Sequence, residues 1–330
     1  MLKYTMIENV KMNWLKGLMA LSVFFFLGSC NNDNDLGSGE VAFEITDAPL
    51  DDSNVKGVFV TVAEIKVDGK AIEGFSKQTI DLKAYQKGET KLLGSTDMAA
   101  RTYNNLTLVL DTDADSNGAA PGCYVLSNDN VKYKLTNSAA SNGKLELNLT
   151  KSWSVANAAK TNVVMDFDLR KALKYAEGSG TGFNFVSNNN LQAAVRVVTK
   201  SETGTIKGTY QNQSGSNADK VIAYLYKKGT FNAQTETTAQ GEDKILFANA
   251  VSSALVESGL SSSAYTLAFL EAGEYELYFA GYKKETGSNR YAFESRLESE
   301  MRVNGTVSNV FTVNAGAEVN ISASILGVIN

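Results

Sequence analysis

From residue 41 onward, apolar and polar positions alternate in short runs separated by clusters of Gly, Asn, Ser and Asp. This is the pattern of strands with one buried face and turns between them. Leu106–Leu110 and Lys144–Leu149 alternate most cleanly, and Val58–Ile65 is rich in β-branched residues. Val195–Val198 reads as a closing strand, after which Thr203–Tyr210 restarts the pattern with Gly204 and Gly208. Gly273 turns the chain into a strand whose Tyr275, Leu277 and Phe279 share one face. Val307–Val313, the turn Asn314–Gly316 and Val319–Ile325 predict a terminal hairpin. Helical pattern is scarce: about two turns over Arg170–Ala176 and a short helix over Val251–Leu260. The expectation is an all-β fold of two tandem β-sandwich domains, residues 40–200 and 201–330.

The N-terminal pattern differs in kind. Lys16 precedes Gly17–Leu27, a mostly apolar run of eleven residues. That length fits the core of a signal peptide and falls short of the roughly 20 residues needed to span a bilayer. It ends in Leu27, Gly28, Ser29 and Cys30. A branched apolar residue, two small residues and a cysteine resemble the bacterial lipobox, in which the cysteine carries lipid and the leader is removed before it. Several chains on one residue anchor far more firmly than one. The expectation is a lipoprotein signal peptide over 1–29, with Met12 an alternative start, and a lipidated Cys30 heading a tether over 30–39. The polar, acidic run Asn31–Gly39 suits a flexible spacer. Its acidic residues also resemble the signal that sends Bacteroidetes lipoproteins to the outer face of the outer membrane. The predicted partner is a membrane, through the lipid anchor.

Charge and composition narrow the chemistry. The first thirty residues carry a net +2 (Lys3, Lys11 and Lys16 against Glu8), so the remainder holds −7 against −5 for the whole chain. An acidic protein without a basic block repels phosphate, which argues against nucleic acid as a partner. The sequence has no histidine, so Ser-His-Asp and Cys-His catalysis and histidine-based zinc sites are excluded within it. Only two cysteines are present. With Cys30 lipidated, Cys123 has no disulfide partner, and no cation near it in sequence would activate it.

Several segments together resemble a family of bacterial exported proteins, domain of unknown function 4382. These are Ile45–Pro49, Val58–Val62, Ile80–Leu82, Leu92–Gly94, Thr102–Tyr103 leading into Leu106–Leu110, Met165–Asp168 and Ala193–Val198. They span about residues 40–200. Ala99-Ala100-Arg101 stands where the family has Pro-Ala-Gly before Thr-Tyr. The second half resembles transthyretin-like or carboxypeptidase-regulatory-like β-sandwiches through Gly204–Gly208 and Ala272–Tyr275. Neither resemblance implies catalytic residues.

Three features invite chemistry. Asp111, Asp113 and Asp115 alternate in a loop, as oxygen ligands do at the start of an EF-hand, so Ca²⁺ is the one candidate cofactor. Against it, Ser116 and Gly122 stand where that loop needs glycine and a bidentate glutamate. Asp166 and Asp168 are paired carboxylates on one strand face, suited to a cation or a glycosidase; the bland alternative is a solvated face or a helix cap. Trp153 could stack on a sugar or sit in a core. Asp47, Asp51 and Asp52 around Pro49 read as a turn. No catalytic residue is assigned. The predicted function is a surface-exposed, lipid-anchored binding or adhesion protein with a glycan or protein ligand. The alternatives are a carboxylate-based glycoside hydrolase and a structural subunit of a fimbria-like or envelope assembly.

Overall fold

The strands form where alternation is strongest, and the residues between them supply the turns. The computed structural model of the protein describes residues 37–48, 55–176, 182–257, 263–287 and 290–329. The lipobox residues Leu27, Gly28 and Ser29, the lipidation site Cys30 and the turn with Pro49, Asp51 and Asp52 lie outside the described residues. So does the Asn31–Leu36 part of the tether.

Among the described residues the first lobe carries β1 (Ser38–Ala48), β2 (Val55–Val67), β3 (Lys70–Ala71), β4 (Gln78–Asp81), β5 (Lys91–Ala99), β6 (Thr102–Asp111), β7 (Tyr124–Ser127), β8 (Lys132–Lys134), β9 (Lys144–Ser154), β10 (Lys160–Asp168), β11 (Leu173–Tyr175), β12 (Phe183–Phe185) and β13 (Val195–Thr199). One sheet has the order β13-β10-β1-β5, with β1 and β10 parallel; the other runs β8-β7-β2-β6-β9, with β3 and β4 also on β2. Their inner faces share one core, which includes Phe43, Ile45, Val60, Ile65, Leu108, Leu147 and Met165. β9 shows the cause directly: Leu145, Leu147 and Leu149 are buried while Lys144, Glu146 and Asn148 are exposed.

The second lobe continues with β14 (Thr203–Asn212), β15 (Lys220–Lys227), β16 (Ser252–Leu255), β17 (Ser263–Glu271), β18 (Gly273–Lys284), β19 (Tyr291–Val303), β20 (Thr306–Val307), β21 (Phe311–Val313) and β22 (Glu318–Ile329). The strand order is β16-β15-β18-β19-β22-β14-β17. Glu257 and Ala264 exchange backbone hydrogen bonds of 2.8 and 3.0 Å, so the chain just after β16 meets β17. The sheet thereby folds over itself, and its two layers enclose Ile206, Leu225, Leu267, Leu277, Phe279 and Ile321. Gly208 is required in that interior: it lies opposite Tyr265, and a Cβ there would come within 1.9 Å of the phenol ring. Residues 228–251, between β15 and β16, cover the outer face of β15 and β18. Phe247 stacks on Tyr224 at 4.1 Å and Phe231 on Tyr278 at 3.7 Å.

The two lobes belong to one packed unit. The all-β expectation holds, and the structure corrects three local ones. The helix expected over Arg170–Ala176 is a single turn, Leu169–Ala172, and the chain then enters β11. Within the expected helix Val251–Leu260, the described residues include β16, because its backbone pairs with β15 across a long loop and that ladder overrides local propensity. The terminal hairpin does not form: β21 pairs with β18, while β22 lies between β19 and β14 and gains two ladders in place of one.

Candidate functional site

Three of the acids that the sequence singles out, Asp47, Asp166 and Asp168, fall at the seam between the lobes. At the end of β10, Asp166 and Asp168 are buried, so neither lies on a solvated strand face. Asp166 accepts a hydrogen bond from the Arg196 guanidinium of β13. Asp168 precedes the Leu169 helix without capping it; its carboxylate faces Arg170 at 3.2 Å and Lys171 at 3.7 Å. Asp47, on neighbouring β1, was expected in a turn and is instead a buried strand residue. Its Oδ2 accepts from Gln86 Nε2 at 3.0 Å, while Oδ1 has no partner. Burial, then the nearby charges of Asp166 and Asp168, hold the Asp47 carboxyl well above the usual carboxylate range.

Arg170 and Lys171 carry this cluster into the second lobe. Arg170 donates to the carbonyl of Leu246 at 2.7 Å, and its guanidinium lies 4.9 Å from the centre of the Tyr224 ring. Lys171 donates to the carbonyl of Ala250, and burial pulls its ammonium down to about 8. A reciprocal contact comes from Asp243 of the second lobe, which sequence reasoning missed. Its carboxylate accepts from Lys174 Nζ (2.7 Å), Ser187 N (2.9 Å), Ser187 Oγ (2.8 Å) and Asn190 Nδ2 (2.6 Å). Burial works against the charge, but these donors prevail and hold the carboxyl down at about 2. No local pattern marks Asp243: its donors lie more than fifty residues earlier in the chain.

The seam encloses a cavity of only about 50 Å³, lined among others by Thr46, Asp47, Asp166, Ser253 and Phe269. That admits a few waters, whereas ligand pockets run to roughly 300–1,000 Å³. A glycosidase needs two carboxylates across a space the size of a sugar ring. Here both strand carboxylates face arginine or lysine beside a void too small for one.

The other candidates are placed just as definitely. Trp153 is 3 % exposed, stacked on Tyr103 at 4.9 Å with Phe43 against its edge, so it is a core residue and offers no face to a ligand. The Asp111 loop belongs to lysines. Asp111 pairs with Lys77 (2.8 Å) and Lys144 (2.5 Å), and Asp113 with Lys134 (2.6 Å). Asp115 turns back on its own loop, accepting from the backbone of Asn117 and Ala119 at 2.8 Å each. Among the described residues no group of three acidic or cysteine side chains is placed to hold a metal ion. Cys123 is buried and its thiol is pushed up to about 12, chiefly by burial, which makes it inert.

Larger hollows lie elsewhere, two of them of ligand size. One, of about 440 Å³, lies between the β11–β12 hairpin and the second lobe, with Tyr175, Phe183, Tyr282 and Tyr291 in its walls. Arg290 already sits 3.6 Å from the Tyr175 ring centre, and Lys220 4.1 Å from that of Tyr291. The other, of about 650 Å³, opens at one end of the folded-over sheet beside Tyr210 and Ser263. No helix among the described residues is long and apolar enough to cross a membrane.

No curated protein matches this chain. Among solved structures it is similar to the TIE protein of Bacillus anthracis at 12 % identity and a TM-score of 0.17, over 88 % of this chain and 35 % of that one. It thus spans about a third of that protein's length. It is also similar to a major pilin of Streptococcus pyogenes (10 % identity, TM-score 0.20, 88 % of this chain and 99 % of that one). A minor pilin of Streptococcus agalactiae gives 12 % identity and a TM-score of 0.20, over 88 % and 97 % of the two chains. These overlaps are too loose to carry function. The family result is firmer and agrees with the segments quoted above, although it ends before β13 and its Val195–Val198 run: residues 38–185 match the family described as Domain of unknown function (DUF4382).

Proposed function

We propose that this chain is a lipid-anchored protein of the cell envelope that acts by binding a glycan or protein at the surface, without catalysis. One observation carries the reading. The buried ionic groups that might have served chemistry instead fasten two β lobes into one body, through Arg170, Lys171 and Asp243. A rigid two-lobed unit behind a polar tether is suited to presenting its loops and sheet ends to something outside. The Leu27–Cys30 lipobox and the acidic Asn31–Asp35 run support anchoring in the outer membrane with the β unit facing outward. The motifs at Gly204–Gly208 and Ala272–Tyr275 support a transthyretin-like reading of the second lobe.

The test has two parts. Labelling cells with a palmitate analogue should mark the wild-type chain, and Cys30→Ala should lose the label and leave the membrane fraction. Protease added to intact cells should then remove the β unit, and cells lacking the protein should adhere less to the surface it recognises. Glycoside turnover by the purified chain that disappears in Asp166→Asn would replace this reading with the hydrolase.

A further inference from the structure

β1 enters its sheet at an end of the first lobe that short turns close. The Gly37 carbonyl accepts a hydrogen bond from Ala100 N at 2.9 Å, and the Ser38 carbonyl accepts from Ala158 N at 2.8 Å. β1, β6 and β10 start at this end, while β5 and β9 finish there. β2 finishes alongside, where Asp68 lies 2.9 Å from Arg101 and the chain turns back into Lys70. The other end of β2 is equally defined: Val55 pairs with Ser127, just before the exposed Asn128–Asn130 turn. β2 is thirteen residues long, which separates the two ends by about 40 Å at about 3.3 Å per residue.

That length exceeds the reach of the tether. Seven residue steps separate Cys30 from Gly37. Whatever its conformation, a chain of that length reaches no more than about 25 Å, and a flexible one averages about 15 Å. With its lipid in a bilayer, Cys30 therefore cannot serve a unit that rests on the Asn128–Asn130 end, because Gly37 would stand about 40 Å from the surface. Charge favours the Gly37 end as well. Lys70, Arg101 and Lys160 there balance Asp68, Glu40 and Asp97, whereas the chain after residue 30 carries −7 overall. An anionic lipid surface repels the unit as a whole but not this end.

We propose that this end, formed by the turns at Asp68–Gly69, Ala99–Arg101 and Val155–Ala159, is the face the protein turns to a phospholipid surface, and that the Asn128–Asn130 end points away from it. The proposal rests on the lipid anchor of the reading above and adds the surface that meets the membrane. Contact with an external ligand is then left to the flanks and the far end.

The experiment uses the full lipidated chain in vesicles of phosphatidylethanolamine and phosphatidylglycerol, with an acceptor dye on some headgroups. Cys30 holds lipid and Cys123 is buried, so an introduced surface cysteine alone takes an impermeant donor dye added from outside. Lys70→Cys and Asp129→Cys place that donor on exposed residues at the two ends of β2. Energy transfer should be at least about twofold greater from Lys70→Cys, given the ~40 Å between the positions. Equal transfer from both, or more from Asp129→Cys, would overturn the orientation and leave the anchor in place. A wild-type chain that fails to float with the vesicles would instead remove the anchor, and the orientation with it.

Discussion

Asp243→Ala tests whether the seam is fastened as described. The wild-type carboxylate is wholly covered by its neighbours and accepts from three residues of the first lobe. Its carboxyl is held at about 2 against an ordinary 3.8. At about 1.4 kcal/mol per unit, that depression corresponds to about 2 kcal/mol of folding stability. The folded value is the lower one, so this stability is present above pH 4 and is lost as the pH falls toward 2. Truncation also strands the Ser187 and Asn190 donors, which adds about 1 kcal/mol. The Lys174 side chain is 39 % exposed and rehydrates, so no penalty for a stranded buried charge arises. The expected loss is about 3 kcal/mol at pH 7, or about 6 °C in Tm for a unit of this size. Urea unfolding at pH 7 and at pH 2.5 would measure it. A loss below 1 kcal/mol at neutral pH, or a gap between wild type and variant that stays constant into acid, would refute the reasoning.

Four further outcomes are expected. Gly208→Ala should destabilise by at least about 2 kcal/mol, because its methyl meets the Tyr265 ring; in a Tyr265→Ala background most of that cost should vanish in a double-mutant cycle. Trp153→Ala should cost about 3–5 kcal/mol, and Trp153 emission should resist acrylamide quenching and stay unchanged on adding saccharide. Calcium or EDTA at millimolar concentration should move Tm by less than about 1 °C, since Lys77, Lys144 and Lys134 hold the Asp111 and Asp113 carboxylates. Asp47→Asn should be at least as stable as wild type at pH 8. The raised carboxyl contributes stability at acid pH that is lost as pH rises through its folded value, and the amide never ionises, so a clear drop in Tm at pH 8 would contradict the burial argument.

The strands were legible because each follows from a period-two pattern that any local window contains. β6, β9, β13, β14 and β18 lie where alternation places them, with Tyr275, Leu277 and Phe279 buried on one side of β18. Illegible were the elements whose state depends on a distant partner. β16 is four residues, Ser-Ser-Ala-Leu, with no strand signature, and its identity comes from the β15 ladder. β22 has a clear pattern, but only the sheet decides that it joins β14 and β19 in place of a local hairpin.

The candidate sites divide in the same way. The sequence supplied the residue types: paired carboxylates at Asp166 and Asp168, acids at Asp111, Asp113 and Asp115, and one indole beyond the leader at Trp153. Whether each faces water, a cation or the core is a matter of position in three dimensions, and none of them faces an open ligand site. Asp243 shows the converse, being ordinary in sequence and distinctive only once folding brings four donors to it.

By itself, then, the sequence determined the all-β class and the absence of histidine chemistry, since these follow from local pattern and composition. Only the tertiary structure decided that two β lobes interlock through buried ions. Burial, partnering and empty space are relations between residues far apart in the chain, and no local window contains them.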